Sequence, residues 1–331
     1  MSWLRQIPTL ILLGVLLPAL PACSVIKFNR AQVRTDYAHV SVVGNDIQLS
    51  SGKMHYYAGG KGPPVLLIHG FAFGALETWE DQVPVFIRSH RVIVPDLYWF
   101  GDSVPSSDMD DAAEQAQALS ELLTRIGIQK IAVVGVSFGG YVAMRLALSH
   151  PEQVERLVLV DAAGIAPSPE ERRQVTANFG GKEHIADLLI PKDTDELDRL
   201  LRILFHKARY IPRFVLRQIL REEFWRNRDA KRRMCEHMEK EGGFLTPPEL
   251  KGITAPTLLI WGRHDPLILP SMGERIAAAI ANARIVFFEN SNHSPMLEEF
   301  RRFNRQVLGF LSAPGQAAWA PQHLGIKESA T

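Results

Sequence analysis

The sequence predicts an α/β fold with a mostly parallel central sheet, helices on both faces and an inserted helical cap. Six short, continuous apolar runs alternate with helical stretches along the chain. Uninterrupted apolar strands are typical of a parallel sheet that helices cover on both faces, and this alternation indicates a doubly wound sheet. Residues 166–253 separate two of the runs, an interval far longer than an ordinary crossover, and their helical patterns predict the cap.

The overall composition is close to the average for globular proteins, with 46% hydrophobic and 22% charged residues in 331. A disordered, collagen-like or multi-span membrane protein is therefore excluded as a description of the whole chain. The net charge of +1 offers no argument for a nucleic-acid partner, and no protein partner is evident. Two cysteines, Cys23 and Cys235, exclude a disulfide-rich scaffold.

Residues 1–22 have the features of a secretory signal peptide. Arg5 precedes an apolar stretch from Ile7 to Leu20, which is shorter than the roughly 20 residues that span a bilayer. The segment Leu20-Pro21-Ala22-Cys23 resembles the lipobox of bacterial lipoproteins. This resemblance implies lipidation of Cys23, and Ser24 fits the usual sorting to the periplasm-facing side of the outer membrane. An ordinary cleaved signal or an uncleaved anchor is the alternative.

The elements of the mature chain follow from their patterns. Residues 23–36 are mixed and polar, which predicts a tether. Three alternating runs then predict an antiparallel hairpin edge: Val40–Val43, Ile47–Leu49 and Met54–Tyr57. The six parallel strands are expected at Val65–Ile68, Val92–Val94, Ile131–Val134, Leu157–Val160, Thr257–Ile260 and Ile285–Phe288.

Helices are expected between these strands and within the cap. Those of the core fall at about 76–88, 111–126, 138–149, 271–281 and 296–312, and those of the cap at Leu197–His206, Phe214–Arg226 and Lys231–Lys240. The core is therefore predicted to comprise residues 37–165 and 254–312, interrupted by the cap at 166–253. Residues 313–331 are rich in Ala, Pro and Gly and are predicted to be disordered.

The third parallel strand leads into the motif Gly135-Val136-Ser137-Phe138-Gly139, and a predicted helix follows it. In this context the serine sits on a sharp, strained turn that raises its Oγ above the sheet. Side chains two residues away on either side would collide with the neighbouring strand and helix, so glycine is required there. The N-terminus of the helix places a positive dipole end near the developing oxyanion. Ser137 is therefore the candidate nucleophile.

A nucleophilic serine needs a base and a group that orients this base. Asp265 and His293 follow the last two apolar runs, each just past the carboxyl end of its strand, where open α/β sheets place their sites. His293 is the candidate base and Asp265 the candidate orienting acid. Asp161 follows a neighbouring strand and is the main rival for the second role.

The loop after the first parallel strand supplies a fourth element. The backbone N–H of Phe71 is expected to pair with that of Phe138 as an oxyanion hole, and each such donor contributes roughly 3 kcal/mol to the transition state. His69 is interpreted as an organiser of this loop, and Asp96 and Asp102 as carboxylates that fix a neighbouring loop. The sequence has no zinc-helix or phosphate-loop pattern, so no metal and no cofactor are expected.

Together these motifs resemble those of α/β-hydrolase fold proteins, over about residues 53–312. The motifs that carry the resemblance are His69-Gly70-Phe71, Pro95-Asp96 with Phe100-Gly101-Asp102-Ser103, Gly135–Gly140, Gly262-Arg263-His264-Asp265 and Asn292-His293. Within the superfamily the chain is similar to capped bacterial esterases and lipases of the Moraxella lipase type. It is also similar to C–C hydrolases of aromatic meta-cleavage products. Where the family usually has Pro-Gly, this chain has Tyr98-Trp99, two aromatic residues expected near the mouth of the site.

The residues and the resemblance together predict a serine hydrolase that cleaves small-molecule or lipid esters through an acyl-enzyme and is anchored to a membrane. A serine nucleophile disfavours dehalogenation and epoxide opening, which related enzymes perform with aspartate. One alternative is C–C bond hydrolysis, but such enzymes usually place an arginine near the serine, and Arg145 is expected to point away. Another alternative is a lipid-binding protein that keeps the three residues without turnover.

The predicted cap is strongly basic. From Arg199 to Lys240 it contains 13 Lys or Arg residues and 5 Asp or Glu residues. A solvated helix face explains such a pattern, and so does contact with anionic lipid headgroups. The apolar residues of the segment would then line an acyl pocket or pack on the sheet: Ile203, Leu204, Phe205, Phe214, Val215, Leu216, Phe224 and Trp225.

Overall fold

The computed structural model describes residues 24–208, 210–240 and 242–313, in which nine strands form a single sheet. The strands are β1 (Val42–Leu49), β2 (Gly52–Gly59), β3 (Pro64–Ile68), β4 (Arg91–Pro95), β5 (Val104–Pro105), β6 (Ile131–Val136), β7 (Val154–Val160), β8 (Thr257–Gly262) and β9 (Ala283–Phe288). Their order is β1-β2-β4-β3-β6-β7-β8-β9, and β5 pairs with β2. Strands β1 and β2 form the antiparallel edge. The six strands β3, β4, β6, β7, β8 and β9 pair with one another in parallel. The predicted fold class is confirmed.

Helices flank the sheet and form the cap. In the core they are α1 (Val25–His39), α2 (Ala75–Trp79), α3 (Val83–Phe86), α4 (Ala112–Arg125), α5 (Phe138–Ser149), α12 (Pro270–Ala279), α13 (Pro295–Glu298) and α14 (Phe300–Ser312). In the cap they are α6 (Pro169–Asn178), α7 (Ile185–Leu189), α8 (Thr194–Leu204), α9 (Arg213–Ile219), α10 (Arg228–Glu239) and α11 (Pro247–Leu250). A π-helical turn, Leu220–Phe224, continues α9.

Strand β6 shows why the sheet needs helices on both of its faces. All six of its residues are buried, and their side chains point alternately to opposite faces. Ile131 and Val133 belong to the apolar cluster that contains α4, α5 and α12. Ala132 and Val134 belong to the second cluster, which contains α1, α2, α3 and α14. The continuous apolar run in the sequence thus reflects burial on both faces.

The cap leaves and rejoins the core at one point. Ile165 and Leu245 form an isolated parallel bridge, and the Leu245 N–H donates to the Gly164 carbonyl over 2.7 Å. The helical patterns of the cap correspond to α8, to α9 with its π-helical turn, and to α10. The insertion therefore folds over the carboxyl end of the sheet from a closed base.

The tether predicted for residues 23–36 is wrong from residue 25 onward, because these residues belong to helix α1. Ile26, Val33 and Tyr37 are buried at spacings of seven and four residues, so they form one stripe that faces the fold. The remaining positions are mostly polar and exposed, which is why the segment resembles a tether in sequence. Ser24 caps the helix by accepting a hydrogen bond from the Lys27 N–H.

Several predictions concern parts of the chain outside the described residues. These are the signal peptide at residues 1–22, the lipidated Cys23 and the tail, of which only Ala313 is described. In the ranges that the structure does describe, no helix is both long and apolar enough to cross a bilayer.

Candidate active site

Ser137 occupies the turn between β6 and α5 in a strained backbone conformation, with φ of 53° and ψ of −120°. A positive φ is costly for a residue with a side chain, so the surrounding structure must hold it. A Cβ on Gly135 would lie 2.3 Å from the Gly139 carbonyl oxygen, and one on Gly139 would lie 2.2 Å from the His69 oxygen. A side chain at either glycine of the motif would therefore collide with backbone atoms.

His293 and Asp265 meet Ser137 at the carboxyl end of the sheet. His293 Nε2 lies 3.1 Å from Ser137 Oγ, and His293 Nδ1 lies 2.7 Å from Asp265 Oδ2. The Asp265 carboxylate is fully buried, and its other oxygen accepts hydrogen bonds from the Leu267 and Ile268 N–H groups. The three predicted residues thus form one hydrogen-bonded chain, in which Asp265 fixes the imidazole and His293 can accept the serine proton.

Asp161, the rival acid, lies beside this chain without joining it. Its Oδ1 accepts a hydrogen bond from the Gly262 N–H over 2.8 Å, and its buried Oδ2 has no hydrogen-bond partner in the described structure. Burial and the nearby Asp265 carboxylate raise its pKa well above the ordinary value. Donor atoms of Asp161, Asp265 and His293 lie within 4.8 Å of one another, the spacing of a metal site. Within this group, however, His293 and Asp265 bond each other, and Asp161 accepts from the Gly262 N–H.

The loop after β3 places Phe71 beside Ser137. A Cβ on Gly70 would lie 3.3 Å from Ser137 Cβ, so the loop passes close to the serine. Phe138 is the first residue of α5, where N–H groups have no acceptor within the helix. Within the described ranges, no hydrogen-bond acceptor is found for the N–H of Phe71 or of Phe138. Both predicted donors are therefore next to Ser137 and available to an oxyanion.

His69 and Asp96 have the structural roles that their sequence positions indicate. His69 Nδ1 bonds the Gly70 carbonyl at 2.7 Å, and Nε2 accepts from the Leu97 N–H at 2.9 Å. Burial holds the pKa of this histidine below its ordinary value. Asp96 accepts hydrogen bonds from the N–H groups of Ala75 and Asp102. These side chains are occupied in positioning the loops that surround Phe71.

Two cavities meet at Ser137. The first, of about 140 Å³, lies under α6, α7 and α10, and the second, of about 80 Å³, lies under α8 and the π-helical turn. Phe71, Leu189 and Leu267 line both cavities together with Ser137 and separate them. His293 lines the second cavity but not the first. The linings are largely apolar, so the serine stands between two chambers suited to apolar groups.

The two aromatic residues expected near the mouth lie elsewhere. Tyr98 is fully buried and its hydroxyl bonds Ser51 Oγ at 3.0 Å. The Trp99 carbonyl accepts a hydrogen bond from Asn227 Nδ2 in the cap. Neither residue lines the two cavities at Ser137. The departure from the usual Pro-Gly therefore affects the junction of core and cap, and the prediction of their position is wrong.

Sequence reasoning missed how the cap holds the histidine loop. The His293 N–H donates to the Leu204 carbonyl at the end of α8 over 3.0 Å. Glu298 accepts hydrogen bonds from the N–H groups of Asn292 and, in the cap, of His206. Burial raises the pKa of Glu298 to about 7. Because the cap partners are about 90 residues away in sequence, no local pattern could have indicated these contacts.

Known proteins resemble this chain in sequence. Lipase 1 of Psychrobacter immobilis is 29% identical, covering 76% of this chain and 78% of its own length. Lipase 3 of Moraxella sp. (strain TA144) is 27% identical over 76% and 79%, respectively. The 2-hydroxy-6-oxononadienedioate/2-hydroxy-6-oxononatrienedioate hydrolase of Paraburkholderia xenovorans (strain LB400) is 27% identical over 78% and 91%.

Solved structures and a family profile also resemble this chain. A bacterial membrane phospholipase A superimposes with a TM-score of 0.72 at 25% identity, covering 92% of this chain and 98% of that one. Carboxylesterase CesB of Bacillus subtilis superimposes with a TM-score of 0.69 at 22% identity, covering 87% and 99%, and shows the fold alone. The profile of the alpha/beta hydrolase family matches residues 65–306, which confirms the resemblance inferred from the motifs. The chain belongs to the alpha/beta hydrolase family.

Proposed function

We propose that this protein is a serine hydrolase that cleaves carboxylic esters through an acyl-enzyme intermediate. The observation that carries the proposal is the hydrogen-bonded chain Ser137–His293–Asp265, which opens between two apolar cavities. This arrangement supplies a nucleophile, a base and a buried acid in the order that acyl transfer requires.

In the first half of the reaction, Ser137 Oγ attacks the ester carbonyl carbon while His293 Nε2 takes the hydroxyl proton. Asp265 holds the Nδ1–H tautomer and stabilises the imidazolium. The carbonyl oxygen becomes an oxyanion that accepts hydrogen bonds from the N–H groups of Phe71 and Phe138. The imidazolium then returns its proton to the alkoxy oxygen, the carbon–oxygen bond breaks, and an alcohol leaves.

In the second half, water takes the place of the alcohol. His293 removes a proton from the water as it attacks the acyl-enzyme, and the same proton passes to Ser137 Oγ when the carboxylic acid is released. Because the leaving oxygen receives its proton from His293, the alcohol must lie on the side of that residue. We therefore assign the alcohol to the second cavity and the acyl chain to the first.

The charges around the serine favour esters over the C–C hydrolase alternative. A substrate with carboxylates needs cationic partners, yet among the described residues the second cavity is lined by Glu77 and by no Lys or Arg, and the Arg30 guanidinium is already paired with Glu77. Arg172 in the first cavity is accompanied by Glu183 and Glu239. Arg145 donates to the Tyr141 hydroxyl and lines neither cavity. The relatives named lipases agree with this assignment, whereas those named as hydrolases of dioate substrates represent the alternative.

We further propose that the chain is exported and anchored by lipid at Cys23 to the periplasm-facing side of an outer membrane. The lipobox-like Leu20-Pro21-Ala22-Cys23 and the following Ser24 support this location. Metabolic labelling with a fatty acid should modify the full chain and leave Cys23→Ala unlabelled. Equal labelling of the two chains, or none in either, would contradict lipidation at this residue.

Turnover of p-nitrophenyl esters with acyl chains of increasing length tests the proposed reaction. We expect multiple turnovers by the full chain, and a loss of kcat by about 10⁶-fold in Ser137→Ala. A meta-cleavage dienoate is assayed in parallel. Cleavage of the dienoate without ester hydrolysis would indicate the C–C hydrolase, and stoichiometric ester binding without turnover would indicate the lipid-binding alternative. Either result would refute the proposal.

A further inference from the structure

The chain leaves the described structure on the outer surface of the cap. Ser24 Oγ donates a hydrogen bond to Glu222 Oε1 over 2.7 Å, and the Val25 N–H donates to Gln218 Oε1 over 2.7 Å. Both acceptors lie on α9 and its π-helical turn. The apolar stretch Ile7–Leu20 and Cys23 come directly before this point in sequence. Ser24, the residue that follows Cys23 in the sequence, is thus held against α9 and its π-helical turn.

Helix α1 is fixed to the body, so this exit point is fixed too. The Arg30 guanidinium donates to Glu77 Oε1 over 2.5 Å and to Glu223 Oε1 over 2.6 Å. The side chains of both acids are only 4% exposed, and that of Arg30 is 16% exposed. One residue of α1 thus joins the core at α2 to the cap at the π-helical turn. Separating them would leave two buried acidic side chains without the cation that they share, which is unfavourable.

The outer surface around the exit point combines exposed aromatic rings with cations. Phe28 is 57% exposed, Phe214 49% and Trp225 41%. Lys27 and Phe28 are exposed on the first turn of α1, and Phe214, Arg217, Arg221 and Trp225 are exposed on α9, on its π-helical turn and on the residue that follows it. In the described ranges, no ion pair involves Lys27, Arg217 or Arg221. The expectation that Phe214 and Trp225 line a pocket or pack on the sheet is therefore wrong.

We propose that this surface, the docking face Lys27, Phe28, Phe214, Arg217, Arg221 and Trp225, binds an anionic lipid bilayer. Aromatic rings insert into the bilayer interface, and basic side chains are attracted to its anionic headgroups. The position of the chain's exit and the cationic charge of the face identify the occupant. The inference goes beyond the lipid anchor, because it gives the body a set orientation on the membrane, and it does not depend on ester hydrolysis.

Docking places the second cavity directly behind the face. The opposite sides of the same elements carry Phe224, which lines that cavity, and Val215 and Leu216, which are buried. Glu77, the partner of Arg30, also belongs to its lining. One layer of helix thus separates the bilayer from the chamber that we assign to the leaving alcohol.

Depth-dependent fluorescence quenching tests the docking face in the full chain. A polarity-sensitive fluorophore is attached to Phe214→Cys and, as the matched control, to Val43→Cys, since Val43 is 54% exposed on edge strand β1, which follows the end of α1 opposite to Phe28. The unsubstituted chain gives the background from Cys23 and the buried Cys235. The chains are reconstituted into vesicles of phosphatidylcholine and phosphatidylglycerol that carry a spin-labelled lipid.

We expect lipid quenching at position 214 to exceed that at position 43 by about threefold or more. Arg217→Glu with Arg221→Glu should abolish this excess, as should vesicles of phosphatidylcholine alone, while hydrolysis of a short, soluble ester stays unchanged. Equal quenching at the two positions would overturn the proposal. Protection of position 214 from an aqueous quencher without lipid quenching would also overturn it, because a second copy of the chain would then cover the face. Neither result would bear on ester hydrolysis, so failure of the two proposals can be distinguished.

Discussion

The carboxyl end of the sheet, with Ser137, Asp265 and His293, is called the sheet end below. It lines the same cavities as the cap, but the side chains of the two regions are held in place by different kinds of contact. At the sheet end, Ser137 and Asp265 are held by neighbours in their own loop or by an adjacent strand: the Ser137 N–H donates to the Val160 carbonyl over 2.9 Å, and Asp265 accepts from Leu267 and Ile268. The cap is held to the core and to α1 by contacts between distant segments, such as Arg30 with Glu223. The chemistry is therefore encoded locally, whereas the closure of the site depends on long-range contacts.

Ester hydrolysis at the sheet end should depend on Asp265 and not on the neighbouring carboxylate of Asp161. Asp265→Asn should lower kcat/KM by about 10⁴-fold, because the amide cannot stabilise the correct imidazole tautomer or the imidazolium. Asp161→Asn keeps an oxygen acceptor for the Gly262 N–H and should cost less than about tenfold. Steady-state kinetics of the two variants on one ester gives the comparison. A larger loss in Asp161→Asn would assign the orienting role to the rival acid.

In the cap region, the free energy of unfolding should depend strongly on Arg30. Arg30→Leu leaves Glu77 and Glu223 buried beside each other without their shared cation, and should lower stability by about 3–5 kcal/mol. Arg34→Leu is the matched control on the same helix. Arg34 pairs with Asp102, but their side chains are 49% and 43% exposed, and it also donates to the Tyr57 hydroxyl, so its loss should cost about 1–2 kcal/mol.

Equilibrium unfolding in urea measures both variants of α1. Similar losses in the two would mean that burial of the Arg30 pairs does not set the strength of the attachment. A loss at Arg30 with unchanged hydrolysis of short esters would separate the stability of the cap from the chemistry at the sheet end.

The clamp between the histidine loop and the cap should respond to pH. Burial raises the pKa of Glu298 to about 7 from an ordinary value of 4.5, so folding favours its protonated form. Its contribution to stability is complete below the unfolded pKa and is lost as pH rises through the folded one. Between about pH 5.5 and 8, the full chain should lose about 2 kcal/mol more stability than Glu298→Gln. Parallel pH profiles of the two chains would contradict this assignment.

The sequence allowed prediction of the sheet end because its signals are short. The turn at Ser137 needs glycines two residues away on either side, and strand ends mark the positions of Asp265 and His293. Which carboxylate bonds the histidine was decided only by geometry, since Asp161 also follows a parallel strand. Helix α1 was missed because its buried stripe is short and its decisive contacts are with the cap.

The central claim, that an acyl group is transferred through Ser137, can be tested by trapping the intermediate. The full chain is mixed with excess p-nitrophenyl ester, quenched in acid within the first turnover, and digested for peptide mass spectrometry. The account predicts a burst of about one p-nitrophenol per chain and one acyl group on the peptide that contains Ser137, both absent in Ser137→Ala. Turnover without an acylated peptide, or an acyl group on a different residue, would contradict it.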